Sequence, residues 1–196
     1  MGFLARLFGK VDRKVTIAMC GLDNAGKTSI LTFLKKGDFS ETIATMGVNY
    51  EILQLEKLKL SVMDLGGQEV FRQFWSAYIQ KADILIYVVD SSDIVRLPTA
   101  KDLFMKVVRS LPNENTPILI LATKQDLPQV SSLAYIIHLF QLTSMFERTV
   151  HIQRTSARTG LGIYEAFQWI HDQVMQAKEK RPKRKPAVHS IFPHPG

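Results

Sequence analysis

The sequence predicts an α/β domain built on a doubly wound, mostly parallel sheet of six strands, with helices on both faces. Three observations lead to this fold. Short β-branched runs alternate with helical stretches along the 196-residue chain, which is typical of parallel strand–helix–strand units. The runs at 84–90 and 117–123 are apolar without alternation, as expected for strands that are covered on both faces. A glycine-rich turn joins the first strand to the first helix, at the sheet edge where such folds bind ligands.

The individual elements follow in chain order from the hydrophobic pattern. Strands are predicted at 14–20, 50–55, 58–64, 84–90, 117–123 and 150–155, with a tight turn at 56–57. Helices are predicted at 27–36, 97–110, 131–139 and 162–178. Prolines at 182, 186, 193 and 195 argue against a helix beyond about residue 180.

Composition and charge exclude several classes of protein. A single cysteine excludes a disulfide scaffold, and the sequence has no apolar run of the length that suggests a membrane-spanning helix. The net charge is +7, but residues 1–14 carry a net +3 and residues 178–185 a net +5, so the body between them is close to neutral. Because a domain that reads nucleic acid carries its positive charge on the fold itself, we expect no nucleic-acid partner.

The charge pattern divides the chain into three segments. They are an N-terminal extension at 1–13, one folded domain at 14–177 and a basic, proline-rich, flexible tail at 178–196. In the extension, apolar side chains at 3, 4, 7 and 8 share one face of a predicted amphipathic helix. This helix could dock on the body or bind an anionic membrane, with the basic tail as a second membrane signal. A solvated tail that only keeps the protein soluble fits the pattern equally well.

The turn after the first strand has the sequence GLDNAGKT, which matches the phosphate-binding pattern G-x-x-x-x-G-K-[ST]. Backbone N–H groups of such a loop turn inward around a polyphosphate, and the helix N-terminus adds positive potential. We expect Lys27 to reach the β- and γ-phosphates and Thr28 to ligate Mg²⁺. The predicted phosphate contacts are Gly21, Leu22, Asp23, Asn24, Ala25, Gly26, Lys27, Thr28 and Ser29.

Two further segments point to the base that accompanies the phosphates. The sequence TKQD at 123–126 follows the fifth strand, and TSAR at 155–158 follows the sixth. The Asp126 carboxylate can accept hydrogen bonds from N1–H and the 2-amino group of guanine, and adenine has neither donor. The stem of Lys124 can lie over the base, and the Ala157 N–H can donate to guanine O6. The predicted base contacts are Thr123, Lys124, Asp126, Ser156 and Ala157.

These motifs give the chain a resemblance to a known family. GLDNAGKTS, DLGGQE, the near match TKQD and TSA stand in the order and spacing of the Ras-superfamily small GTPases. Over about residues 14–177 the chain is most similar to the Arf/Arl branch, whose Gly-Gly-Gln form of switch II and N-terminal extension it shares. The resemblance implies a P-loop NTPase G domain that binds GTP or GDP with Mg²⁺ and hydrolyses GTP slowly as a molecular switch.

The resemblance also assigns roles in two switch segments, switch I around Thr45 and switch II, which begins at Gly66. It implies that Asp64 holds Mg²⁺ through a water, that the Gly67 N–H contacts the γ-phosphate and that Gln68 orients the attacking water. It implies that Thr45 completes the Mg²⁺ shell beside Thr28 only when the γ-phosphate is present. Lys27 and Gln68 are therefore the predicted catalytic residues.

In the Arf branch, the two strands between the switches slide by two residues on GTP binding and displace the N-terminal helix. The resemblance thus implies a cytoplasmic protein that also binds membranes peripherally. Myristoylation of Gly2 is a weak expectation, because Arg6 breaks the usual M-G-x-x-x-[ST] pattern. The implied partners are an exchange factor, a GTPase-activating protein and effectors, the last reading Val48, Met63 and Tyr78.

The chain departs from the family pattern at several positions. Thr123 replaces the asparagine that bonds guanine N7 and braces the phosphate loop, so we expect weaker or faster-exchanging nucleotide. Ala44 replaces a proline of switch I, and Val48 is smaller than the usual aromatic residue. These departures keep open a second hypothesis, a nucleotide-holding module without productive hydrolysis, and a P-loop ATPase is a third. Finally, Arg72 and Arg96 are expected to be solvated rather than paired with switch carboxylates, and Trp75 to lie in the core.

Overall fold

A computed structural model describes residues 13–40, 42–55 and 58–179 of the chain. One sheet has the strand order β2-β3-β1-β4-β5-β6. Its strands are β1 (Arg13–Cys20), β2 (Val48–Leu55), β3 (Leu58–Leu65), β4 (Ile84–Asp90), β5 (Ile118–Thr123) and β6 (Val150–Arg154). The pair β2 and β3 is antiparallel and the other neighbours are parallel. The predicted six-stranded, mostly parallel sheet is confirmed.

Six α-helices accompany the sheet in the described ranges. They are α1 (Lys27–Lys36), α2 (Glu69–Arg72), α3 (Trp75–Ile79), α4 (Leu97–Arg109), α5 (Leu133–Leu139) and α6 (Ile163–Glu179). The four predicted helices are confirmed to within two residues at each end. Helices α2 and α3 were not predicted, because helices of four and five residues are too short to show a 3.6-residue hydrophobic period.

The start of β2 was also predicted two residues late. Its first residues are half-buried or exposed, so they show no hydrophobic pattern that would predict a strand. They belong to the strand because they pair with β3. Val48 lies opposite Leu65 and Asn49 opposite Asp64 on β3. The predicted turn at 56–57, the amphipathic helix within 1–13 and most of the tail at 178–196 lie outside the described residues.

The core lies on both faces of the sheet, because β1, β4 and β5 are apolar on both sides. On one face, Ile30 and Leu34 of α1 and Phe167 and Ile170 of α6 pack against the strands. The opposite face is covered by apolar side chains of α3, α4 and α5. No helix in the described part of the chain has the length and hydropathy required to cross a membrane.

The topology gathers the predicted motifs at one edge of the sheet. Strand β1 has β3 on one side and β4 on the other. From β1 the chain therefore crosses to β2 and β3 at one side of the sheet, and then to β4, β5 and β6 at the other side. The segments that follow β1, β3, β5 and β6 therefore meet at the carboxyl ends of the strands, which is where doubly wound sheets bind ligands. These segments begin at residues 21, 66, 124 and 155.

Candidate functional site

The loop between β1 and α1 is shaped around the ammonium group of Lys27. This side chain is buried, and its Nζ donates hydrogen bonds to the carbonyls of Gly21 at 3.1 Å and Leu22 at 2.8 Å. Gly21 has φ +147°, and a Cβ there would lie 2.2 Å from the Val88 carbonyl oxygen, so only glycine fits. Burial lowers the pKa of Lys27, and the nearby Asp64 carboxylate opposes that shift. The loop thus presents a buried cation beneath its backbone N–H groups.

Three oxygen-bearing side chains converge beside this loop. Thr28 Oγ1 lies 2.7 Å from Asp64 Oδ2 and 2.9 Å from Thr45 Oγ1, and Thr45 Oγ1 lies 3.3 Å from the same carboxylate oxygen. Burial raises the pKa of Asp64, and the hydrogen bond from Thr28 opposes that rise. The structure brings together, from α1, switch I and the end of β3, the three residues predicted to hold Mg²⁺.

The second carboxylate oxygen of Asp64 gives an independent indication of a ligand. Asp64 is fully buried, and its Oδ1 has no hydrogen-bond partner among the described residues. A buried oxygen without a partner costs about 1–3 kcal/mol. A cation or a metal-bound water at this point would remove that cost, and hydroxyl and carboxylate oxygens are the ligands that Mg²⁺ prefers. The donor set therefore fits Mg²⁺.

The start of switch II lies directly against the phosphate loop. The Gly66 N–H donates to the Gly47 carbonyl at 2.7 Å, which joins the two switches. A Cβ on Gly67 would lie 2.3 Å from the Asp23 nitrogen, so a residue with a side chain does not fit between switch II and the phosphate loop. Gln68 is exposed and lines a cavity of about 180 Å³ together with Lys27 and Thr45. All residues predicted to act at the γ-phosphate meet in this cavity.

A second cavity of about 590 Å³ continues from the first, with Asn24, Gly26, Ser29 and Thr42 in both linings. The predicted base contacts Thr123, Lys124, Asp126 and Ala157 line it. It is also lined by Phe39, Leu127 and Arg158, which were not predicted because nothing in the sequence pattern marks them as base contacts. The two cavities form a cleft with a phosphate end and a base end.

Hydrogen bonds fix the polar groups at the base end. The Ser156 hydroxyl donates to Asp126 Oδ1 at 2.6 Å and accepts from the N–H groups of Arg158 and Thr159, each at 3.2 Å. Lys124 Nζ lies 2.7 Å from Asp90 Oδ2. The carboxylate of Asp126 is thus held in one orientation at the cavity wall, with Ser156 as its support.

Thr123 occupies the position at which the family pattern has asparagine. Its side chain is buried, and its hydroxyl lies 2.8 Å from the Ala25 carbonyl and 3.0 Å from the Val89 carbonyl. The threonine therefore braces the phosphate loop against the ends of β4 and β5. In the family pattern, the asparagine both bonds guanine N7 and braces the phosphate loop. Here the shorter threonine side chain makes the second of these contacts, to the Ala25 carbonyl.

Replacing Thr123 with valine tests this brace. Because valine has nearly the same shape, Thr123→Val removes the hydroxyl donor without leaving a cavity, and should lower the free energy of unfolding by about 1 kcal/mol. We also expect faster nucleotide release, since the Ala25 carbonyl loses its tether. Thermal unfolding and stopped-flow release of a fluorescent guanine nucleotide measure both effects.

Thr116→Val is the matched control, because Thr116 is equally buried and its hydroxyl donates to the Asn113 side chain, outside both cavities. The control should leave nucleotide release unchanged. Equal release rates for Thr123→Val and wild type would contradict the bracing role.

The expectation that Arg72 and Arg96 are solvated is wrong, because both pair with carboxylates, although neither carboxylate belongs to a switch segment. Arg96 Nη1 lies 3.1 Å from Asp23 Oδ2, and Arg72 Nη2 lies 3.6 Å from Asp23 Oδ1. Arg72 Nε also donates to the Gly67 carbonyl at 2.8 Å. Arg96 and Asp23 are 73 positions apart, and no local sequence pattern predicts a pair across that distance. Trp75 is buried, as predicted, and its indole N–H donates to the Gly66 carbonyl at 3.0 Å.

The three positions predicted to meet effectors lie together but differ in exposure. Val48 and Tyr78 are half-buried and pack on the same core as Met63. Met63 is 4% exposed, so it offers a partner almost no surface. Large exposed apolar side chains nearby in the chain are Ile43, Met46, Tyr50, Val70 and Phe74.

Comparison with known proteins identifies the family. The model of the ADP-ribosylation factor family matches residues 1–174. The chain belongs to the ADP-ribosylation factor (Arf) family. It is 40% identical over 172 residues to ADP-ribosylation factor F of Dictyostelium discoideum, covering 86% of this chain and 90% of that protein.

A solved structure from the same family has the same fold. This is the Arl6 (BBS3) small GTPase of Trypanosoma brucei with the bound nucleotide analogue GppNp, which superposes with a TM-score of 0.77 at 30% identity. The match covers 84% of this chain and 99% of that one. The Arf-family chain is therefore a small GTPase, and its family supports a GTP-binding switch.

Proposed function

We propose that this Arf-family GTPase binds GTP and GDP together with Mg²⁺ and hydrolyses GTP slowly without a partner. The observation that carries the proposal is the convergence of Thr28, Thr45 and Asp64 beside Lys27, where one oxygen of Asp64 has no partner among the residues that the structure describes. Thr45 belongs to switch I and Asp64 to the end of β3. The proposed ion site therefore links the phosphate loop to switch I. Loss of the γ-phosphate would break this link and release switch I.

Each residue of the site has a distinct task in the proposed reaction. Thr28, Thr45 and Asp64 are the residues that would hold Mg²⁺, which would supply positive charge to the phosphates. Lys27, already desolvated, exchanges its two loop carbonyls for phosphate oxygens. The Gly67 N–H donates to the γ-phosphate, and Gln68 orients the attacking water. Because the transition state is stabilised by positioning and charge, no side chain is required as a general base.

The proposal also explains why hydrolysis should be slow in isolation. The arginine of switch II, Arg72, is already bound to the Gly67 carbonyl and faces Asp23. It is therefore not presented to a γ-phosphate in this arrangement. An arginine from a GTPase-activating protein could add on the order of 10³–10⁵ in rate.

Nucleotide displacement and single-turnover hydrolysis test this function together. We expect GTP and GDP, but not ATP, to displace a fluorescent guanine nucleotide, and removal of Mg²⁺ to speed its release. Single-turnover hydrolysis should then be roughly tenfold slower in Gln68→Leu than in wild type, because the attacking water loses its orienting group.

Gln80→Leu is the matched control for the hydrolysis measurement. Gln80 is exposed at the end of α3, and its side-chain amide donates to the Ser76 hydroxyl of the same helix. It should hydrolyse GTP at the wild-type rate. Equal rates for wild type and Gln68→Leu would favour the module that holds nucleotide without hydrolysing it, and displacement by ATP would favour the ATPase.

Membrane cycling, cytoplasmic localisation and Gly2 myristoylation stay predictions. They depend on the extension at 1–13 and the tail at 178–196, which lie almost wholly outside the described residues. What supports them is the family membership and the charge at the two ends of the chain.

A further inference from the structure

Two side chains hold the backbone of switch II where it meets the phosphate loop. The Gly66 carbonyl accepts from the indole of Trp75 at 3.0 Å, and the Gly67 carbonyl accepts from Arg72 Nε at 2.8 Å. In a trans peptide the carbonyl and the following N–H point in opposite directions. Trp75 therefore sets the direction of the Gly67 N–H, and Arg72 sets the direction of the Gln68 N–H.

Arg72 is in turn held by the phosphate loop. Its Nη2 lies 3.6 Å from Asp23 Oδ1, and its side chain is 21% exposed. The other carboxylate oxygen of Asp23 accepts from Arg96 Nη1 at 3.1 Å, and Arg96 also bonds to Asp93. One carboxylate of the phosphate loop thus meets arginines from switch II and from the segment that precedes α4.

In this structure Gly67 of switch II packs on the phosphate loop, an arrangement that we call closed. Arg72 contacts Asp23 in this closed arrangement. Gly67 packs so tightly on the backbone of Leu22 and Asp23 that an added Cβ would lie 2.4 Å and 2.3 Å from atoms of these residues. Arg72 follows in the same short segment, five residues later. If Gly67 left the phosphate loop, the Gly67 carbonyl would move, and Arg72 could no longer reach both of its acceptors.

We propose that Arg72, held by Asp23, is a positioning residue that keeps switch II closed on the phosphate loop and so prolongs the GTP-bound state. The proposal rests on the proposed function, because only GTP offers a γ-phosphate to the Gly67 N–H. GDP has no group at that place, and its retention does not depend on the closed position. Arg72 therefore stabilises one nucleotide state over the other without touching the nucleotide.

Dissociation rates of a fluorescent GTP analogue and of fluorescent GDP test the proposal. We expect Arg72→Ala to release the non-hydrolysable GTP analogue roughly tenfold faster, which is the effect of losing one charge-assisted hydrogen bond. GDP release should stay within about twofold of wild type. Arg72→Lys should rescue the rate in part, because an ammonium can pair with Asp23 but lacks the planar fork that also reaches the Gly67 carbonyl.

Salt and a control variant separate this role from a general loss of structure. Raising the salt concentration should speed release of the GTP analogue from wild type more than from Arg72→Ala, because the ion pair with Asp23 is screened. Arg109→Ala, which removes an exposed arginine at the end of α4, should release both nucleotides at wild-type rates.

The outcomes distinguish the two proposals. Equal acceleration of both nucleotides in Arg72→Ala, or no change in either, would overturn the positioning role. Failure of wild type to bind any guanine nucleotide would overturn the proposed function instead. In that case hydrogen exchange of the Gln68 amide in nucleotide-free protein decides the positioning role: faster exchange in Arg72→Ala supports it, and unchanged exchange overturns it.

Discussion

Gly67→Ala should weaken binding of a non-hydrolysable GTP analogue by roughly 100-fold while leaving GDP binding within about threefold of wild type. The added Cβ would lie 2.3 Å from the Asp23 nitrogen and 2.4 Å from the Leu22 carbonyl carbon. Both are backbone atoms of the phosphate loop, so neither can move aside as a flexible side chain can. Switch II must therefore retreat, and the Gly67 N–H loses its place at the γ-phosphate. Equilibrium titration with the two fluorescent nucleotides measures the ratio.

A second glycine provides the control for this substitution. Gly37 ends α1 with φ +77°, so Gly37→Ala adds the same methyl group at a position where the left-handed backbone opposes it, away from switch II. It should lower the free energy of unfolding by about 1 kcal/mol and leave the ratio of the two affinities unchanged. A Gly67→Ala protein that binds both nucleotides as wild type does would show that switch II need not approach the phosphate loop.

Asp126→Asn should lower GTP affinity by roughly 10³-fold and create affinity for the xanthine nucleotide. The carboxylate of Asp126 can accept from both N1–H and the 2-amino group of guanine, and each such bond is worth about 1.5–3 kcal/mol. An asparagine amide presents one donor and one acceptor, so one of the guanine donors meets another donor. Xanthine has a carbonyl in place of the 2-amino group, which restores the match. Competition of XTP and GTP against a fluorescent guanine nucleotide measures the exchange of specificity.

The control for this change is Asp102→Asn, because Asp102 is an exposed aspartate of α4 paired with Lys101, away from both cavities. It makes the same change of charge and size and should leave base preference unaltered. Retention of GTP affinity by Asp126→Asn would place base recognition elsewhere, with Thr123 and the backbone of Ala157 as the remaining candidates. Such a result would also weaken the case against the ATPase hypothesis.

Much of the fold and site could be predicted from the sequence because the decisive signals are local. A strand that is buried on both faces, as in β4 and β5, shows an uninterrupted apolar run. The phosphate loop is a short string whose glycines and lysine act within one turn of chain. Segments that follow parallel strands must end at the same edge of the sheet, so their meeting required only the correct strand assignment.

Other features of the site could not be predicted, because they depend on contacts between distant segments. Thr123 was expected to give weaker or faster-exchanging nucleotide, which stays a prediction, but no local pattern indicated that its hydroxyl lies within hydrogen-bond distance of the Ala25 carbonyl. Arg72 was expected to be solvated, whereas the packing of switch II on the phosphate loop brings it beside Asp23. Met63 was expected to meet effectors, and the packing of β3 buries it instead.

By itself, the sequence determined the doubly wound sheet and the phosphate-loop motif, and it predicted a carboxylate, Asp126, that could recognise guanine, because each of these signals lies in short segments of the chain. Only the tertiary structure decided that one Asp64 oxygen, beside Thr28 and Thr45, has no partner within the described part of the chain, and that Arg72 reaches Asp23. The physical reason is that hydrogen bonds and ion pairs depend on distances of about 3 Å. Distances of that size between residues far apart in the chain are set by how the sheet and its helices pack.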